Sequence, residues 1–138
     1  MPVVSELIRI EDDGTISFGN YMLAAKSKLQ DFEFQGDLYK VKTFGEITKL
    51  ERNDMFVYES VPGTAAEHFR VTDEGVEFTV EGSKDAQITV QLENDTDYEI
   101  YVNDSAVGNM MTNMSGKLSV SVELEEGISV PVKAVRRG

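Results

Sequence analysis

The chain has 138 residues, a formal charge of −12 from 25 acidic and 13 basic residues, and no cysteine. A surface of this sign repels phosphate backbones and anionic lipid head groups, so nucleic acids and membrane surfaces are poor candidate partners. The absence of cysteine excludes disulfides, thiolate catalysis and cysteine-based zinc sites, and the length fits one domain or two very small ones.

Alternation of apolar and polar residues predicts β-strands through the N-terminal half. Residues 7–10 and 15–18 form a predicted hairpin, because the intervening carboxylates and glycine have the chemistry of a chain-reversing turn. Residues 20–30 favour either a helix or a strand with a loop. Beyond them the pattern predicts a β-meander, with strands near residues 32–34, 38–44, 47–50 and 55–59.

Within the strand at residues 38–44, Tyr39 and Val41 lie on one face and Lys40 and Lys42 on the other. This alternation is typical of a β-strand with one buried face.

A domain boundary is predicted at residues 61–66, where proline, glycine and small residues interrupt the periodicity. We therefore predict an all-β protein with a small N-terminal β-meander domain, residues 1–62, and an immunoglobulin-like β-sandwich, residues 67–138. Between residues 87 and 124, apolar and polar residues alternate in three successive segments, and this pattern is the main evidence for the second domain. About seven strands are expected there, the number typical of such sandwiches.

The sequence LENDTDY at residues 92–98 resembles the tyrosine-corner pattern of fibronectin type III and related sandwiches. In that motif the tyrosine hydroxyl bonds to backbone upstream and locks the corner, and the resemblance implies this role for Tyr98. The continuation over residues 98–135 is similar to the closing half of sandwich modules appended to bacterial carbohydrate-active and cell-surface proteins.

Over its full length the chain also resembles a family of short bacterial proteins sometimes labelled endosialidase. The segments EDDGTISFGNY and GDLYKVKTFGEITKLERNDMFVYESVPGT carry this resemblance. It implies at most a shared module, because sialidase chemistry generally relies on several arginines whose planar donors match the sugar carboxylate. Of the five arginines here, Arg136 and Arg137 lie in the C-terminal tail.

No pattern in the sequence predicts a catalytic site. His68 is the only histidine, and no G-x-S-x-G elbow is present to place a serine beside it, so a non-catalytic histidine is favoured. The acidic pairs lie in predicted turns, where turn chemistry accounts for them without the two facing carboxylates of a glycosidase.

Neither a metal nor a cofactor is predicted from the residue spacing. Residues 94–97 and 103–104 supply several side-chain oxygens that could bind calcium, so a structural calcium ion is an alternative. The EF-hand spacing, however, is absent. The glycines show no nucleotide-binding spacing.

Aromatic side chains are weak candidates for a carbohydrate platform, since sugar faces stack on flat rings. Tyr39, Tyr58 and Tyr101 are the candidate ligand-binding residues, and Tyr101 is out of phase with the core set, so we expect it to be exposed. Core packing is the favoured alternative for these tyrosines.

Met110, Met111 and Met114 cluster near one predicted turn. They either pack against the rest of the protein, which we favour, or form an apolar surface for a partner.

These features favour a non-enzymatic interaction or structural module, which could self-associate because sheet edges in small domains invite pairing. A carbohydrate-binding accessory module is the alternative. A glycan hydrolase comes third, because the sequence offers no site for it. The N-terminal residues show neither a secretory signal nor a membrane span, so a cytoplasmic location is predicted.

Overall fold

The computed structural model describes residues 3–137, and these residues form thirteen β-strands and no helix, which confirms the all-β prediction. The strands are β1 (Ile8–Ile10), β2 (Ile16–Phe18), β3 (Ser27–Phe34), β4 (Asp37–Phe44), β5 (Ile47–Arg52), β6 (Met55–Val61), β7 (Ala65–Thr72), β8 (Gly75–Glu81), β9 (Ala86–Gln91), β10 (Asp97–Val102), β11 (Ser105–Met111), β12 (Lys117–Val122) and β13 (Val130–Arg136).

The strands form two antiparallel sheets in a sandwich-like arrangement. The seven-stranded sheet has the order β1-β2-β7-β8-β13-β10-β11, and the six-stranded sheet has the order β12-β9-β6-β5-β4-β3. Strands β3 to β6 are consecutive neighbours, as in a meander, whereas β1 and β2 of the predicted meander domain belong to the other sheet. The ambiguous segment 20–30 is a loop that leads into β3, because Ser27 and Leu29 pair with β4.

Each sheet contains strands from both of the predicted domains. Strand β2 pairs with β7 in the seven-stranded sheet, and β6 pairs with β9 in the six-stranded sheet. The segment 67–138 supplies five strands to the first sheet and only β9 and β12 to the second. The predicted boundary therefore does not divide the sheets, since each buried sheet face needs strands from both segments to cover it.

One hydrophobic cluster fills the space between the sheets and draws on both segments. At its centre the rings of Phe18 and Tyr58 lie 5.0 Å apart in an edge-to-face arrangement, and Phe69 lies 5.4 Å from Phe18. Phe78 completes the group at 5.6 Å from Tyr58. Edge-to-face rings at these spacings stabilise each other beyond the burial of their area, so this cluster couples the two segments.

The Tyr98 side chain meets the backbone of the loop before β10. Its ring is buried at the start of β10, and its hydroxyl accepts a hydrogen bond of 3.2 Å from the backbone N–H of Glu93. The bond ties the loop before β10 to that strand.

Within the described residues, no helix has the length and apolar character needed to cross a membrane.

Candidate ligand-binding site

An open groove of about 480 Å³ lies on the outer face of the seven-stranded sheet. It crosses β7, β8, β13 and β10, and the turn before β2 forms one of its walls. The core side chains of these strands alternate with the lining residues, so the groove faces away from the other sheet. Its polar and aromatic lining residues are Asp13, Thr15, His68, Arg70, Glu77, Phe78, Thr79, Tyr101, Asp104 and Lys133.

A row of four side chains runs across the groove, one from each strand. Tyr101 of β10 is the register partner of Lys133 in β13, Lys133 is the partner of Glu77 in β8, and Glu77 is the partner of Arg70 in β7. Neighbours in such a row lie about 4.5–5.5 Å apart at their Cβ atoms. The Lys133 ammonium also lies 5.3 Å from the centre of the Tyr101 ring, within cation–π range. Charges of opposite sign therefore alternate along the row.

His68 reaches the groove because β7 contains a β-bulge. The pairing of β7 with β8 shifts register between Glu67 and Arg70, and His68 has a φ of +53°, in the left-handed region. The hydroxyl of Ser17 accepts the His68 N–H at 3.1 Å and so provides a partner for the bulged backbone. A β-bulge changes the direction of one side chain from the direction that simple alternation would give it. Here the bulge leaves the His68 side chain half exposed at the groove.

The Asp13 carboxylate holds the His68 ring at one end of the groove. Nδ1 of His68 lies 3.0 Å from Oδ2 of Asp13 and 3.3 Å from the hydroxyl of Thr15. The Thr15 hydroxyl donates to the other Asp13 oxygen at 2.5 Å, and this bond, with a smaller contribution from His68, lowers the pKa of Asp13. The arrangement fixes the imidazole and keeps the carboxylate ionised, which suits a group that binds rather than one that donates a proton.

A cluster of carboxylates adjoins the groove on the same face. The hydroxyl of Ser17 and the guanidinium of Arg9 lower the pKa of Glu11. Burial, together with a hydrogen bond and repulsion from Glu81, raises the pKa of Glu67 to about 7. Glu11 and Glu67 thus differ in protonation near neutral pH. Hydrogen-bond donors lie beside the Glu11 carboxyl, whereas the Glu67 carboxyl is partly buried and faces the like charge of Glu81.

The three tyrosines predicted as ligand-binding residues do not meet. Tyr101 lines the groove, but it is half-buried and not exposed as its position in the alternation predicted. Tyr58 is fully buried, and its hydroxyl bonds to Thr64 at 2.7 Å. Tyr39 is 8% exposed and packs 6.0 Å from Phe34. A shared tyrosine platform is therefore not formed, because Tyr39 and Tyr58 point into the core from the other sheet.

Sequence reasoning did not single out Arg70, Glu77 and Lys133 as a group. Glu77 and Lys133 each lie between buried residues of their own strands, which marks them as outward-facing, whereas Arg70 lies between buried Phe69 and exposed Val71. Their convergence depends on the pairing of β8 with β13, which are far apart in the sequence.

The described residues include no group of three or more histidine, cysteine, aspartate or glutamate side chains that could hold a metal ion. Comparisons with models of protein families, with curated proteins and with solved structures found no match. The chemistry of the groove is therefore inferred from its own residues.

Proposed function

We propose that this protein is a non-enzymatic binding module whose groove holds an uncharged, polar ligand of the carbohydrate class. The alternating row of Tyr101, Lys133, Glu77 and Arg70 is the observation that carries the proposal. Such a row offers hydrogen-bond donors and acceptors side by side without a strong net charge. Sugar hydroxyls both donate and accept, and an aromatic surface suits the apolar face of a sugar ring.

The protonation of Asp13 supports binding over glycoside hydrolysis. A glycosidase needs one carboxyl group that stays protonated to act as the acid, so its pKa must be raised. The hydrogen bonds from Thr15 shift the pKa of Asp13 in the opposite direction, and Glu67, whose pKa is raised, is not among the residues that line the groove.

Replacing Lys133 with alanine tests the groove. Lys133 lies in the middle of the row, and loss of hydrogen bonds from a charged donor typically costs about 1.5–3 kcal/mol, or roughly 10- to 150-fold in affinity. A glycan array would identify a ligand, and calorimetric titration would compare the wild type with Lys133→Ala. Lys84→Ala, an exposed lysine in the turn after β8, is the matched control and should bind as the wild type does.

Two results would contradict this proposal. An array on which the wild type binds no glycan would remove the proposed ligand class. Cleavage of a bound glycan would show an enzyme instead of a binding module.

Self-association through β11 is a second candidate function. All seven residues of this edge strand are exposed, and none is charged. The other edge strands β1, β3 and β12 each contain a charged residue, a common protection against edge pairing. Met110, Met111 and Met114 are 42%, 67% and 84% exposed, so the favoured interpretation of these methionines as packing residues was wrong and the surface alternative fits.

We expect β11 to pair with the same strand of a second copy. In an antiparallel pair centred on Gly108, no like charges would face each other, whereas copies with a charge of −12 repel elsewhere. Val107→Lys should therefore reduce the mass in solution from twice the chain mass to the chain mass, measured by light scattering. Val61→Lys, an exposed valine on the interior strand β6, is the control that should leave the dimer intact. A wild-type protein that stays monomeric at millimolar concentration would contradict this candidate.

The proposal retains two finer expectations. One is the cytoplasmic location. The other is the immunoglobulin-like character of residues 67–138, which the seven strands β7 to β13 and the bond between Tyr98 and Glu93 support.

A further inference from the structure

Four of the eight lysines of the chain converge on the outer face of the six-stranded sheet. Lys28 of β3, Lys40 and Lys42 of β4 and Lys49 of β5 line a small pocket of about 60 Å³, together with Glu51. These lysines face away from the core, because the residues that alternate with them in β4 and β5 are buried. The pocket is thus a basic site on a strongly acidic protein.

Three of the lysines lie directly beside one another in register. Lys28 is the partner of Lys42, and Lys42 is the partner of Lys49. Neighbouring strands are about 4.8 Å apart, so the row spans roughly 10 Å. Like charges placed directly opposite in a sheet destabilise it, so the fold gains nothing from this arrangement by itself.

Carboxylates lie opposite two of these lysines in register, Glu51 opposite Lys40 and Glu59 opposite Lys49, and they offset part of the positive charge. In the part of the chain that the structure describes, the ion pair of 3.6 Å between Lys49 and Glu51 is the one that involves a pocket lysine. Four lysines and one glutamate line the pocket, which gives a formal charge of 4 − 1 = +3. An anion placed among them would relieve the repulsion.

We propose that this pocket binds a small oxyanion, phosphate or sulfate, either free or as the terminal group of a small molecule. Lysine ammonium groups bind such groups as point charges, each with three donors. The volume of about 60 Å³ is several times the ~10–15 Å³ that a single water needs, so one tetrahedral anion fits.

The charge of the whole molecule restricts the ligand to a single anionic group. Outside the four lysines the formal charge is −12 − 4 = −16, which repels an extended polyanion that reaches beyond the pocket. The groove lies on the other sheet, so both sites can be occupied at the same time.

Titration with inorganic phosphate and with sulfate, at ionic strength held constant with chloride, tests the proposal. Constant ionic strength separates binding at a site from general screening of charge. The wild type should show saturable binding with one site. Lys42→Gln removes the centre of the row and should weaken binding at least tenfold, whereas Lys42→Arg keeps the charge and should retain it. Lys84→Gln makes the same change of charge elsewhere and should bind as the wild type does.

Thermal unfolding gives a second measurement. Its first part, made without an added anion, does not depend on binding affinity. Without phosphate or sulfate, Lys42→Gln should have a higher melting temperature than the wild type, because it removes repulsion with Lys28 and Lys49. Phosphate should raise the melting temperature of the wild type but not that of Lys42→Gln.

A sugar phosphate distinguishes the two sources of the anion. Tighter binding of glucose 6-phosphate than of phosphate would identify a small phosphorylated molecule, and equal or weaker binding would identify the free anion. The proposal is overturned if neither small anion shows saturable binding, if Lys84→Gln loses as much affinity as Lys42→Gln, or if only a long polyphosphate binds.

Discussion

Phe18→Ala is expected to lower the free energy of unfolding by about 3–5 kcal/mol, as large-to-small changes in well-packed cores do. Phe18 is fully buried and contacts Tyr58 and Phe69 through edge-to-face rings at 5.0 and 5.4 Å. Removing it creates a cavity at the point where both sheets and both sequence segments meet. We expect the whole chain to lose stability together, in one unfolding transition.

Denaturant unfolding of Phe18→Ala, followed by tyrosine fluorescence and by circular dichroism, checks this expectation. The two probes should give coincident transitions at a lower midpoint. Phe44→Ala is a matched control, because Phe44 is only partly buried on the outer face of the six-stranded sheet, and it should cost much less. Two separate transitions would instead show that residues 1–62 and 67–138 unfold as independent domains.

Glu67→Gln should raise the stability of the protein above neutral pH and remove part of its pH dependence. The folded protein raises the pKa of Glu67 from 4.5 to about 7, chiefly through burial and then through Glu81. Between these two pH values the folded state holds a proton that the unfolded state has released. Stability therefore falls as the pH rises from about 4.5 to about 7, and the loss is complete above that range.

The expected gain for Glu67→Gln at pH 8 is about 1–2 kcal/mol. The increase in the pKa of Glu67 would correspond to roughly 3 kcal/mol of stability for a group out of contact with water. The Glu67 side chain is 19% exposed, so screening by solvent reduces the penalty.

Chemical denaturation at a series of pH values from 4 to 9 measures this effect. The difference in stability between Glu67→Gln and the wild type should grow as the pH rises through this window and level off above pH 7. Glu33→Gln, an exposed glutamate on β3, removes the same charge and should show no such trend. A constant difference at all pH values would mean that the pKa of Glu67 is the same in the folded and unfolded states.

Local periodicity predicted most of the strands but not how they assemble. In β4 the alternation of Tyr39 and Val41 with Lys40 and Lys42 correctly separated the two faces of the strand. Hairpins between consecutive strands were predicted from their turn residues. For example, the turn at Asn53 and Asp54 links β5 to β6. These features depend on neighbours along the chain.

The candidate sites depend on contacts that no local pattern specifies. Lys133 meets Glu77 only because β13 inserts beside β8, and His68 reaches the groove only through a bulge. The lysine row likewise needed the register that places Lys28 and Lys49 on either side of Lys42. The same limit applies to Tyr39 and Tyr58, because period two separates two faces of a strand without telling which one another sheet will cover.

Strand β13 occupies the middle of the seven-stranded sheet, between β8 and β10, although it follows every other strand in the chain. A fragment that ended before residue 130 would leave two ribbons with unsatisfied backbone amides along the gap, and Lys133 would be missing from the groove. The proposed binding groove and the continuous backbone pairing of this sheet therefore both require the last strand of the chain.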